Sequence, residues 1–224
     1  LADARENREA IGALTDRMGK ITNQLKLFVG RAQTHNARSP VARALRNALQ
    51  LLQKRLQPVS LQLRIREVRT LADPRSQPAP IDAGGYRPFD VTAEHASLIA
   101  YCDDLRLEQA LINLIGNALD ALDTVASPRL CIDVDVADEA LAIAVRANGP
   151  GIAADVLPRL FDPYFTTKQT GKGLGLGLAI ASSIARDCGG WLGAHNAAGG
   201  GAVFVLTLRR ATTLAPQPDP AAPS

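Results

Sequence analysis

The stretch at residues 107–121 (LEQALINLIGNALDA) constrains this chain more than any other. Its apolar residues Leu107, Leu111, Leu114, Ile115, Ala118 and Leu119, continued by Leu122, recur at steps of three and four, which predicts a helix with one buried stripe. Polar residues interrupt that stripe. Asn113, Asn117 and Asp120 are spaced by four and three and so share one helical face. Amides on a mostly apolar helix are costly to bury unless something polar lies against them. That partner is either a neighbouring loop of the same chain or a ligand, and the helix alone does not choose.

Around this helix the chain alternates helical and strand patterns. Residues 3–34 read as one long helix in which Ile11, Leu14, Met18, Ile21, Leu25 and Phe28 form a heptad seam. One helix cannot bury such a seam on itself, so it dimerises through a helical bundle or packs against the rest of the chain. A polar break at 34–40 precedes a second helix over 41–56. The alternation in SLQLRIR (60–66) predicts a strand, and 72–92, rich in Pro and Gly, an irregular connection. A strand at 97–102 leads into the central helix through Asp103 and Asp104, both suited to cap it. Strands at 129–136 and 141–147 form a hairpin. A helix reaches Cys188 and ends at Gly189 and Gly190, and strands at 191–195 and 202–208 flank the glycines at 199–201. The tail from Ala215 is Pro and Ala rich and is expected to be disordered.

Composition removes several classes of function. A net charge of +3 without any basic run argues against a nucleic-acid binder. Cys102, Cys131 and Cys188 are widely spaced with no CxxC, so buried free thiols are expected and structural zinc is not. No apolar run approaches the ~18 residues of a membrane span and no signal peptide opens the chain, so a soluble piece is expected, with a membrane-bound parent left open.

Two further stretches carry chemistry. Asn148-Gly149-Pro150-Gly151-Ile152 is a glycine turn at a strand end, either a tight turn for its own sake or bare backbone that another group approaches. Residues 161–180 (FDPYFTTKQTGKGLGLGLAI) offer Thr166, Thr167 and Lys168, then Gly171, Gly173, Gly175 and Gly177 at alternate positions ahead of an apolar helix. Glycine-rich backbone running into a helix N-terminus cradles phosphate through free N–H groups. Neither GxxxxGK[ST] nor GxGxxG is matched. A flexible linker is the alternative, although Leu174, Leu176 and Leu178 interleave with the glycines.

With these residues assembled, the sequence resembles the catalytic region of sensor histidine kinases, in the ATPase superfamily shared with gyrase, the ninety-kilodalton heat-shock chaperones and the MutL mismatch-repair proteins. LEQALINLIGNALDAL resembles the N box, ANGPGI the first glycine box, LFDPYFTTK the F box and GKGLGLGLAI the second glycine box, in the family's order. GGWLGAHNAAGGGAVFVLTL is similar to its last strands, so the resemblance covers roughly residues 38–210. ALTDRMGKITNQLKLF is similar to the second helix of the dimerisation domain, most like the C4-dicarboxylate-sensing branch. Aligned instead to the first helix, it would place Lys20 where the phosphoacceptor histidine belongs; either way that histidine is absent from the helix, and His35 falls in the polar break.

The resemblance implies an α/β two-layer sandwich, a mixed sheet with helices on one face (a Bergerat-type ATP-binding fold), over 38–214, preceded by a dimerisation helix over 1–37 and followed by the tail at 215–224. It implies ATP and Mg²⁺ as cofactors, with Asn117 coordinating the metal, Asn113 beside it and Asp120 on the same face. Gly149 and Gly151 would line the adenine pocket, Tyr164 would pack near the base or ribose, and Thr167 and Lys168 would approach the nucleotide. Gly173, Leu174, Gly175, Leu176 and Gly177 would shape the lid and phosphate cradle. The implied partners are a second copy through the heptad helix, a response regulator, and upstream sensor and phosphoacceptor segments, in the cytoplasmic portion of an inner-membrane sensor kinase. The γ-phosphoryl would pass to a histidine outside this chain, by positioning and charge stabilisation. One position departs from the family pattern. Where the family carries an aspartate that accepts a hydrogen bond from the adenine amino group, this chain has Ala147. That departure keeps a rival open, a nucleotide-poor pseudokinase or interaction module. A stand-alone ATPase of the mismatch-repair type is a further alternative, against which stand the heptad helix and Asn113 in the place of the acidic general base.

Overall fold

Alternation in the strands and three-to-four spacing in the helices generate the architecture. The computed structural model describes residues 37–71, 85–93, 98–168 and 174–211. The heptad helix, Gly173 and the tail from Ala215 lie outside the described residues. In chain order the elements are β1 (Arg38–Pro40), α1 (Val41–Leu51), the short α2 (Gln53–Leu56), β2 (Ser60–Glu67), β3 (Arg87–Pro88), β4 (Ile99–Tyr101), α3 (Asp104–Leu122), β5 (Arg129–Val136), β6 (Ala140–Ala147), a 3-10 turn (Leu157–Arg159), α4 (Gly177–Asp187), β7 (Trp191–Asn196) and β8 (Ala202–Ala211).

The strands form one mixed sheet in the order β1-β4-β8-β6-β5-β2-β3, and β7 also pairs with β8, along residues 202–207. Among the described strands only β2 and β5 run parallel, from Ser60 opposite Arg129 to Glu67 opposite Val136. Period-two patterning sends Ile65, Leu130, Ile132, Val134, Leu141, Ile143 and Val145 into the core. The helices pack on that face. Every apolar member of the α3 stripe from Leu107 to Leu122 is buried, between α1 and α4 and over β5 and β6. Full burial of one such Leu or Ile contributes ~1.5–3 kcal/mol, so this helix is the main organiser of the core. Asp103 caps it, its Oδ1 accepting from the backbone N–H groups of Leu105 (3.0 Å) and Arg106 (3.3 Å); Asp104 lies in the first turn instead and pairs with Arg43.

The opposite face carries charge in place of helices. Asp133 is 1 % exposed and accepts from Arg64 Nε at 2.7 Å and Nη2 at 3.0 Å and from Arg146 Nε at 2.7 Å. Its burial is tolerable because both oxygens are held by guanidinium groups. Asp135 is held by Arg66 and by the Tyr86 hydroxyl at 2.8 Å.

Several expectations change. The last three residues of the polar break are strand β1, because their backbone pairs with β4, a partner that lies sixty residues away and leaves no local trace. The irregular connection contains β3, whose Pro88 sits at the sheet edge where a missing N–H does no harm. The helix expected over 41–56 breaks at Leu52 into α1 and α2. The cysteines correct the expectation of free thiols: Cys102, just before α3, and Cys188, just after α4, form a disulfide with their Cα atoms 5.0 Å apart. Cys131 is the free one.

Candidate functional site

The polar face of α3 opens onto the start of α4. Gln109 Nε2 donates to Asn113 Oδ1 at 3.0 Å, while Asn113 Nδ2 is buried without a partner. Gly177, the first residue of α4, backs onto that amide: a Cβ there would lie 3.7 Å from Asn113 Cγ. Among the described residues no side chain caps the N-terminus of α4, whose N-cap position is Leu176. An orphaned amide N–H beside an uncapped helix N-terminus is a donor-rich corner, and it fits an anion such as a phosphate.

One turn further along α3 the charge reverses. Lys168 Nζ donates to Asn117 Oδ1 at 3.2 Å and pairs with Asp120 Oδ2. The other oxygen of Asp120 accepts from Arg55 Nη2 at 2.6 Å, and Asp123 lies 3.8 Å from the same guanidinium nitrogen. Asn117 Oδ1 therefore already holds a cation, with a carboxylate beside it. Those hard oxygen donors fit magnesium, which uses few protein groups and keeps several waters. Among the described residues no group of three or more His, Cys, Asp or Glu could hold a metal ion.

The first glycine box begins at Ala147, 7 % exposed at the end of β6 between Leu130 of β5 and Ala202 of β8. Asn148 fastens the turn, accepting from Arg129 N–H at 2.7 Å and donating to Ser127 O at 2.9 Å. Gly149 presses against the last turn of α3, where a Cβ would meet Ala121 O at 2.8 Å, so the close approach requires glycine. Asn196 of β7 holds the far side, accepting from Ile152 N–H at 2.7 Å and donating to Ile152 O at 2.8 Å beside Gly151.

The F box and the second glycine box dock on each other. Gly175 has φ +67°, and a Cβ there would fall 2.5 Å from Tyr164 C and Phe165 O. Tyr164 N–H donates to Gly175 O at 3.0 Å. Tyr164 is 70 % exposed and its backbone is left-handed at φ 66°. Thr166 Oγ1 accepts from Lys168 N–H at 3.2 Å, turning Lys168 towards α3, and Thr167 is exposed. Leu176 is buried in the core and Leu174 packs against it, so these two leucines anchor the glycine segment.

Of the residues singled out in sequence, Asn113, Asn117, Asp120, Lys168 and Gly177 converge around the polar face of α3. Ala147, Gly149 and Gly151 form a separate rim at the end of β6. Sequence reasoning missed Arg55 and Asn196. Each lies outside the motifs and reaches the site across more than forty residues, so no spacing rule could have found it.

Residues 102–212 match the family model for histidine kinase-, DNA gyrase B- and HSP90-like ATPases. The chain is 35 % identical over 207 residues to the C4-dicarboxylate transport sensor protein DctB of Pseudomonas aeruginosa, covering 92 % of this chain and 30 % of that one. It is 34 % identical over 210 residues to the DctB protein of Rhizobium meliloti, covering 93 % and 29 %. The chain therefore spans less than a third of the length of these relatives. Two solved structures share the fold. The nucleotide-free catalytic domain of histidine kinase ThkA superposes with a TM-score of 0.57 at 22 % identity, covering 78 % of this chain and 97 % of that one. Full-length ShkA in complex with AMPPNP gives 0.63 at 23 %, covering 95 % and 40 %. Among the described residues no helix is long and apolar enough to cross a membrane. With four motifs in order, their residues gathered about one helix, and relatives matching over nine-tenths of its length, the chain carries a domain of the histidine kinase-, DNA gyrase B- and HSP90-like ATPase family.

Proposed function

We propose that this region binds ATP across α3, with the phosphates over Asn113, Asn117, Lys168 and the N-terminus of α4 and the adenine at the rim formed by Ala147, Gly149 and Gly151. The observation that carries the reading is the pairing of a cation-holding oxygen, Asn117 Oδ1, with the unpartnered Asn113 Nδ2 at an uncapped helix start. Asn117 would hold magnesium, which supplies charge neutralisation to the phosphates. Lys168 would turn from Asn117 to a phosphate oxygen, with Thr167 alongside. Gly173, Gly175 and Gly177 would close over the phosphates, anchored by Leu174 and Leu176, and exposed Tyr164 would cover the base or ribose.

The γ-phosphoryl passes to a histidine on a dimerisation helix outside this chain and from there to a response regulator, in a homodimer formed through the heptad helix at 3–34. Ala147 offers adenine no acceptor, so affinity is reduced and the preference for adenine relaxed. A nucleotide-poor interaction module would rest on that substitution and on the absence of a phosphoacceptor histidine from the heptad stretch, and the phosphate end gathered around α3 weighs against it. The test is twofold. A fluorescent ATP analogue should bind with magnesium, and a separate histidine-bearing dimerisation domain should become phosphorylated when mixed with this chain and ATP. Absence of analogue binding at millimolar concentration would refute the nucleotide reading; binding without phosphotransfer would refute the kinase step.

A further inference from the structure

Arg55 belongs to none of the nucleotide motifs, yet it closes the ion-pair chain at the phosphate end. It stands on α2, 65 residues before Asp120, and donates to Asp120 Oδ1 at 2.6 Å while Lys168 holds Asp120 Oδ2. Asp123 is the only other acid within 4.0 Å of Arg55 among the described residues, at 3.8 Å. We infer that Arg55 is a positioning residue for nucleotide binding: it neutralises Asp120 so that Lys168 is free to leave that carboxylate for a phosphate. The inference rests on the nucleotide reading of the site.

The physical argument concerns competition for one ammonium group. The carboxylate of Asp120 sits beside Asn117 and holds Lys168, so a phosphate must win Lys168 from Asp120. Once Lys168 turns away, Asp120 would face a polyanion as a bare negative charge, were it not for the guanidinium on its other oxygen. Arg55 thus lowers the cost of releasing Lys168 and screens the remaining carboxylate, without touching the nucleotide. The groups are partly exposed, Arg55 at 40 % and Asp120 and Lys168 at 35 %, so the effect is that of one screened charge pair, about fivefold in affinity.

The experiment is calorimetric titration of the full chain with Mg-ATP, in wild type, Arg55→Gln, Arg55→Lys, Asp120→Asn and the Arg55→Gln/Asp120→Asn double variant, with thermal midpoints measured beside each. Arg55→Gln should weaken ATP binding about fivefold, Arg55→Lys should retain most of the affinity, and the double variant should bind as Asp120→Asn alone does. A merely structural arginine would lower the midpoint and leave ATP affinity unchanged. Unchanged affinity in Arg55→Gln, or an equal loss with and without Asp120, would overturn the inference while leaving the nucleotide reading in place. No ATP binding by wild type would overturn both.

Discussion

Ala147 is where one added carboxylate should change both affinity and stability, in opposite directions. The residue ends β6 at 7 % exposure, flanked by Leu130 and Ala202, and its carbonyl lies against Gly201. In Ala147→Asp without nucleotide, a carboxylate enters this nearly dry position. Burying such a polar group unpaired costs ~1–3 kcal/mol, so the free protein should melt earlier. With adenine in the pocket, the same carboxylate accepts a hydrogen bond from the base's amino group. A charge-assisted bond contributes ~1.5–3 kcal/mol, which converts to a gain of ~10- to 150-fold in ATP affinity. GTP lacks that amino group and should gain nothing. Calorimetry with ATP and GTP, paired with melting curves at increasing nucleotide, reads all of this: a lowered midpoint, recovered by ATP and not by GTP. A folded variant whose ATP affinity equals that of wild type, or rises equally for GTP, would show that the adenine does not sit at the end of β6.

Three further outcomes are expected. The Cys102–Cys188 disulfide closes a loop 86 residues long that contains every residue of the proposed nucleotide site except Arg55 and Asn196; chain entropy puts its contribution at up to ~4.6 kcal/mol and measured cases at ~2–4. Reduction, or Cys102→Ser, should therefore lower the melting temperature by several degrees in calorimetry, and an unchanged midpoint would show that the crosslink constrains nothing. Gly175→Ala places a Cβ 2.5 Å from the backbone at Tyr164 and Phe165 in a left-handed conformation costing ~1–3 kcal/mol. It should separate Gly175 from Tyr164 and Phe165 and increase protease cutting at residues 164–168, with an unchanged cutting pattern as the contrary result. His195 on β7 has a buried, unpartnered Nε2, and burial followed by nearby Arg146 holds its pKa below the ordinary 6.5. The unfolded chain therefore binds more protons as pH falls through 6.5, and stability should drop on that side. Denaturant titration from pH 7.5 to 5 should show the decline, and His195→Gln should flatten it; equal slopes in both proteins would assign the decline elsewhere.

Local periodicity carried α3, β5, β6 and β8, because a half-buried element must repeat its apolar residues at its own period. The polar members of the site were legible for the same reason: Asn113, Asn117 and Asp120 break the α3 stripe on one face, and glycines before a helix start expose N–H groups whatever the fold. The disulfide was not legible, since Cys102 and Cys188 meet only because α3 and α4 pack side by side. Strand β1 was hidden because three residues form a strand only when β4 supplies the hydrogen bonds. Arg55 is the clearest case. As sequence it is one arginine of a polar helix end, and only the packing of its segment beside α3 brings it to Asp120 and into the charge balance of the proposed phosphate site. Sequence by itself determined which residues could bind a nucleotide, since chemistry and short-range spacing are written along the chain. Tertiary structure decided which charges compete there, because ion pairs form through space between segments whose separation along the chain carries no signal.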